Sequence, residues 1–359
     1  MLEGTRPSSF HPRAVCPPTA PLPPTFLMLN RALGTTNRTV SPIGLGLAAL
    51  GRPGYINLGH GNDLEGRRSV AALEAHTHAV LDAAWEAGIR YFDAARSYGR
   101  AESFLRSWLD ARSLAPTDAT IGSKWGYTYT ADWSVDAEVH EVKDHSVEVF
   151  ERQWQETNAR LGPHLDLYQI HSATLKTGVL DDAAVHEALY RIKHEHGVAL
   201  GLSLSGPRQA QTLERALQVA VNGTLLFDAV QATYNVLEPS AGPMLQRAHE
   251  AGLGVIIKEA VANGRLTPRN ENESFADART VLDEQAARLH TTIDALALAA
   301  VVHEPWVDVV LSGAARKDHL ASNIAALSVD YDAEAKAALQ TLTEEPSTYW
   351  STRSALSWT

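Results

Sequence analysis

Residues 165–203 read LDLYQIHSATLKTGVLDDAAVHEALYRIKHEHGVALGLS. The ends of this stretch, 165–171 (LDLYQIH) and 198–203 (VALGLS), are short runs dominated by apolar residues. Between them, 182–196 carries helical periodicity, so the stretch reads as strand, helix, strand. The same alternation continues in both directions. Towards the N-terminus, strands are expected at 40–47 (TVSPIGLG), 89–93 (IRYFD) and 120–124 (TIGSK). Towards the C-terminus they are expected at 227–232 (FDAVQA), 253–258 (LGVIIK) and 307–312 (VDVVLS). Helical patterns fill 70–87, 100–112, 145–161, 182–196, 207–221, 241–251, 292–303 and 316–327. Several strands are apolar throughout, as a parallel sheet covered by helices requires. Eight strand–helix units predict an α/β fold closed into a (β/α)8 barrel, with an open doubly wound sheet as the competitor.

The flanks of this pattern are also readable. Leu29–Leu33, a turn at Gly34–Asn37 and the run from Arg38 predict a β-hairpin ahead of the barrel. Thr291 with Asp294 predicts a capping box, and Pro305 ends the helix that follows. Beyond the eighth unit, 331–345 reads as an extra C-terminal helix, and the aromatic ending (Tyr349, Trp350, Trp358) as an irregular packing lid. Residues 1–28 are proline-rich without a compact apolar segment, and are expected to be a disordered tail before one domain at 29–359. Translation from Met1 or from Met28 is compatible with this reading.

Composition narrows the function classes. With 31 basic and 42 acidic residues the net charge is −11, which disfavours nucleic acid and anionic membranes as partners. No run reaches the roughly 18 apolar residues of a membrane span. Cys16 is the only cysteine, so no internal disulfide or thiolate-rich metal site forms, and a reducing cytoplasm is expected. The fifteen histidines show no metalloenzyme spacing; His194 and His196 are two apart on a predicted helix and point away from each other.

Barrels place their chemistry at the carboxyl ends of strands. The second, third and fourth predicted strands end on Asp93, Lys124 and His171, and Tyr98 lies five residues beyond Asp93. Each alone has an ordinary structural explanation; on consecutive strands they make a set. A tyrosine is protonated at neutral pH and can donate a proton to a carbonyl oxygen. A nearby Lys124 is expected to lower that phenol's pKa, and Asp93 to offset the cost of burying the ammonium. A neutral His171 can orient the oxygen through a hydrogen bond.

In order, the motifs YFDAARSYG, IGSKWG, DLYQIHSA and GLSLS resemble the strand-end motifs of the aldo-keto reductase superfamily over about 29–345. The resemblance implies a TIM barrel with a leading hairpin and a catalytic tetrad at Asp93, Tyr98, Lys124 and His171. It further implies NAD(P)H-dependent reduction of an aldehyde or ketone to an alcohol. The cofactor would lie across the barrel mouth without a Rossmann fingerprint, its carboxamide held by Ser203 and Gln231. The family's asparagine after that serine is Leu204 here. In VIIKEAVANGRL the aromatic that often stacks on the nicotinamide is replaced by Lys258, expected to pack its stem on the ring or to reach the phosphate.

LSGAARKDHLASNIAAL resembles the loop that holds the cofactor's adenosine phosphate. Gly313, Ser322 and Asn323 fit it, and Arg316 with Lys317 supplies positive charge, although Ala315 and His319 occupy the usual basic positions. On that charge NADP(H) is favoured over NAD(H). Tyr55, Trp125, Trp133 and the C-terminal aromatics are the expected substrate walls, suiting a small apolar or sugar-like carbonyl or alcohol. Two other readings are carried: an alcohol or aldose dehydrogenase running the oxidative direction, and a cofactor-binding regulatory subunit, for which an N-terminal inactivation segment would be the mark.

Overall fold

A computed structural model describes residues 28–359, so the expected tail at 1–28, with Cys16, lies almost wholly outside the described residues. Eight strands close a barrel: β1 (Ile43–Gly46), β2 (Tyr91–Asp93), β3 (Thr120–Trp125), β4 (Leu165–Ala173), β5 (Ala199–Leu204), β6 (Ala229–Thr233), β7 (Gly254–Lys258) and β8 (Val309–Ser312). All neighbours are parallel and follow chain order, with β8 pairing β1. Each strand is followed by a covering helix: α1 (Val70–Glu86), α2 (Ala101–Ala111), α3 (Val147–Leu161), α4 (Ala183–His196), α5 (Gln209–Ala216), α6 (Gly242–Glu250), α8 (Ile293–Val302) and α9 (Lys317–Ala325). An additional helix, α7 (Ala276–Arg288), enters between β7 and α8.

Local chemistry sets these boundaries. Ser69 and Ser146 cap α1 and α3 by accepting the amides of Ala72 and Val149. Asp182 does the same for α4 with two amides. The cap of α8 is Thr292, which accepts from Ala295, rather than the expected Thr291. Parallel strands between helices and the barrel axis are buried on both faces, so β6, for example, has no exposed residue.

The expected first strand, 40–47, is two elements. Thr39–Val40 pairs antiparallel with Arg31–Ala32 in the leading hairpin, and Ile43–Gly46 alone enters the barrel. Pro42, between them, has no N–H to continue a ladder. The hairpin closes the lower mouth. Leu33 and Val40, both fully buried, pack with Tyr91, Leu167, Ile256 and Val309. Leu33 fits because β7 begins at Gly254, where a Cβ would stand 2.6 Å from the Leu33 side chain.

Past β8, α10 (Ala333–Gln340) occupies part of the expected 331–345 helix. The aromatic ending is not irregular throughout: Pro346–Ser354 forms α11, started by proline in its first turn. Tyr349 and Trp350 are buried in it, and no described helix is long and apolar enough to cross a membrane.

Candidate active site

Three short strand ends bring the predicted tetrad together at the upper mouth. Lys124 is fully buried on β3, ion-paired to Asp93 at the end of β2, and donates to the Ala94 carbonyl at 3.0 Å. Asp93 also accepts from Tyr91 (3.3 Å), Gln169 (3.4 Å) and Gln231 (3.1 Å). Tyr98 lies over this pair, its ring centroid 4.9 Å from Lys124 Nζ and 5.5 Å from the His171 ring, edge to face. Asp93, Tyr98 and His171 face a cavity of about 670 Å³; Lys124 stands behind them.

The charges act differently from the expectation that Lys124 lowers the Tyr98 pKa. Burial, then the Asp93 carboxylate, holds the phenol well above its ordinary value, against the pull of Arg52. The Lys124 ammonium is matched by Asp93, so Tyr98 faces a nearly neutral pair. Tyr98 is therefore a fully protonated phenol at neutral pH. Burial, helped by Lys124 and Arg52, pushes the His171 imidazole well below its usual range, so it is neutral.

Arg52 was not legible as a site residue. Its side chain is 3% exposed, donates to the Ser97 carbonyl (2.9 Å) and Glu141 (3.0 Å), and lies over the rings of Tyr55 (5.3 Å), Tyr98 (5.3 Å) and Trp358 (4.7 Å). It is set there by backbone contact between the β1 and β2 loops. A Cβ at Gly51 would stand 2.2 Å from the Tyr98 carbonyl, and Arg100 N donates to the Gly51 carbonyl at 2.7 Å.

Of the expected substrate residues, Tyr55 lines the cavity, joined by Trp358, which stacks on His140 at 4.0 Å. Trp125 and Trp133 do not line it. Trp125 is fully buried among His145 and Phe150, because it follows inward-facing Lys124 and must point to the helices. Trp133 packs against Phe104 of α2 and donates to the Arg68 carbonyl.

The expected cofactor residues divide likewise. Gln231, Lys258, Gly313, Ser322 and Asn323 line the cavity. Ser203 is buried behind it, its hydroxyl accepting the Ser172 amide at 2.8 Å, and Ser172 and Ser205 take the wall position instead. Leu204 is fully buried. Arg316 is off the wall, bonded to Asp318 and Glu65, and Lys317 is exposed.

Lys258 is held to Thr233 at 2.6 Å and lies 3.8 Å from Glu259, with its ammonium 5.7 Å from the Trp350 ring. Burial brings its pKa down to about 8 despite Glu259. Burial works against the Glu259 carboxylate, but Arg353 of α11 and Lys258 overcome it and bring its pKa down to about 2 from 4.5. A depressed carboxylate stabilises above its unfolded pKa and loses that contribution as pH falls. The seating of α11 should therefore loosen between pH 4.5 and about 2. Trp350 emission, referenced to Trp350→Phe, should change in that window and the change should be absent in Glu259→Gln; an unchanged wild-type signal contradicts it.

This arrangement belongs to a recognisable class. A (β/α)8 barrel with a phenol, a neutral imidazole and a buried Lys–Asp pair at its upper mouth is that of an oxidoreductase acting on carbonyl and hydroxyl groups. The sequence profile of the Aldo/keto reductase family matches residues 42–344, and the chain belongs to that family. It is similar to pyridoxal 4-dehydrogenase of Microbacterium luteolum, 27% identical over 299 residues, 74% of this chain and 81% of that one. It is also similar to NADH-specific methylglyoxal reductase of Escherichia coli (strain K12), 25% identical over 330 residues, 84% of this chain and 95% of that one. In fold it resembles an aldo-keto reductase of Bacillus halodurans in its holo form, with TM-score 0.67 and 22% identity over 89% of this chain and 97% of that one.

The cavity suits the dinucleotide that such a family uses. Its volume is that of an organic-ligand site. The amide oxygen of Asn263, on its wall, is buried without a partner. Helix α9 starts after Arg316 with no side-chain cap on its N-terminus, and its first turn carries Asp318 on the cavity wall.

Proposed function

We propose that the chain reduces an aldehyde or ketone to the alcohol with a nicotinamide dinucleotide, Tyr98 being the proton donor. The observation that carries this reading is a protonated Tyr98 on the cavity wall, backed by the Lys124–Asp93 pair and flanked by neutral His171. The bound reduced nicotinamide supplies the hydride to the carbonyl carbon. Tyr98 gives its phenolic proton to the oxygen, and Lys124 and Arg52 face the phenolate that is left. His171 orients the oxygen as a neutral donor. Gln231 and Ser172 offer polar groups to the carboxamide from β6 and the end of β4. We place this activity in one domain at 29–359 and in the cytoplasm.

A second reading, oxidation of an alcohol or hemiacetal by the same groups, is favoured by one finding: the similarity to a protein named a dehydrogenase. The residues serve both directions, since the Tyr98 phenolate is the base for the reverse step. Both readings are tested by following nicotinamide absorbance while a panel of aldehydes, ketones and their alcohols is offered with either redox form. Oxidation of the reduced cofactor by carbonyl compounds supports the first; turnover with alcohols or sugars alone replaces it with the second. No turnover across neutral aldehydes, ketones and polyols contradicts both.

A further inference from the structure

The part of the cavity built by the β8–α9 segment carries an unusual charge arrangement, whose meaning rests on the reading of this cavity as a dinucleotide site. Two guanidinium groups stand there and neither is free. Arg269, on the wall, gives two nitrogens to the two oxygens of Asp63, one of them at 2.8 Å. Arg316 gives two nitrogens to Asp318 at 2.9 and 3.0 Å and its third to Glu65 at 2.8 Å. Arg67 pairs with the other oxygen of Glu65 at 2.9 Å, so Asp63, Glu65 and Asp318 are matched by three guanidinium groups, each already engaged by a carboxylate. Asp63 and Asp318 reach the cavity wall, whereas Arg316 does not.

The one further base on this wall, His319, adds no positive charge. Its Nε2 accepts from Arg269 at 2.7 Å, so that nitrogen bears no proton. Burial, then Arg269, lowers its pKa. Lys317 is exposed and outside the cavity.

A phosphate ester dianion brought to this wall would meet the Asp63 and Asp318 carboxylates, while the Arg269 guanidinium on the same wall is already neutralised by Asp63. Like charges so placed are a repulsive element that rejects one of two otherwise similar ligands. A vicinal ribose diol meets the opposite situation, because its two hydroxyls donate and carboxylate oxygens accept. We propose that this segment selects NAD(H) over NADP(H), with Asp63 and Asp318 as the discriminating groups. Arg316 and Lys317, which in the sequence point to NADP(H), do not perform that role: the first is neutralised and the second faces away.

The test is direct titration of the full chain with NADH and with NADPH, followed by nicotinamide fluorescence, in wild type, Asp318→Asn and Glu65→Gln. NADH should bind at least about tenfold tighter than NADPH in wild type. Asp318 and Glu65 are half-exposed or more, so both variants should fold. Asp318→Asn frees Arg316 on one side and removes a repelling charge, and should raise NADPH affinity about fivefold with NADH changed less than about twofold. Glu65→Gln should move NADPH in the same direction, by less. Equal or tighter NADPH binding in wild type overturns the proposal, as does an NADPH affinity unmoved by Asp318→Asn. Binding of neither nucleotide overturns the dinucleotide reading itself.

Discussion

Tyr98→Phe is expected to lower turnover by about 10²–10⁴-fold, the range for loss of a positioned proton donor. The fold should hardly notice. Tyr98 contributes its ring to contacts with His171, Lys124 and Arg52, and a phenyl ring keeps all three. No hydrogen bond to the described protein depends on its hydroxyl, so unfolding midpoint and dinucleotide affinity should stay near wild type. His171 cannot take over, because burial beside two cations keeps it neutral and a poor acid. Turnover within tenfold of wild type, with the same substrate, would falsify the role of Tyr98.

Lys124→Met tests the pair behind it and should cost about 3–5 kcal/mol of stability, the usual penalty for stranding one member of a buried ion pair. Asp93 is 2% exposed and would keep only neutral donors, Tyr91, Gln169 and Gln231. Adding Asp93→Asn should recover most of the stability, and a urea series on the four members of the cycle measures the coupling. Activity should not return with stability, since neither the phenolate's cation nor its carboxylate partner is present. A single-variant loss below about 1 kcal/mol would show that the pair does not carry the burial cost assigned to it.

The barrel was legible because its two periodicities are strong and alternate without interruption. Strands β4 and β5 and helix α4 fall within two residues of their expected bounds. Where the reading slipped, it treated an apolar run as one element. TVSPIGLG is continuous in hydrophobicity, yet hydrogen-bond direction changes at Pro42, which only pairing with Arg31–Ala32 discloses. That Asp93, Tyr98, Lys124 and His171 come together was readable because strand ends are fixed points of the fold. Trp125 could have been rejected from the sequence alone, since a residue adjacent to inward Lys124 faces outward. Arg52, Arg269 and Trp358 could not have been found that way. Their partners lie far off in the chain, as in Arg269 with Asp63, 206 positions apart, and loops that cross the mouth leave no periodic signal. Arg316 was visible as a charge but not as a paired one.

Leu33 and Val40 give the barrel a further property. Packed side chains, not a channel, separate the lower end from the cavity at the upper mouth. A shortened hairpin would therefore wet Tyr91, Leu167, Ile256 and Val309 and lower the melting point, while the walls of the cavity stayed in place.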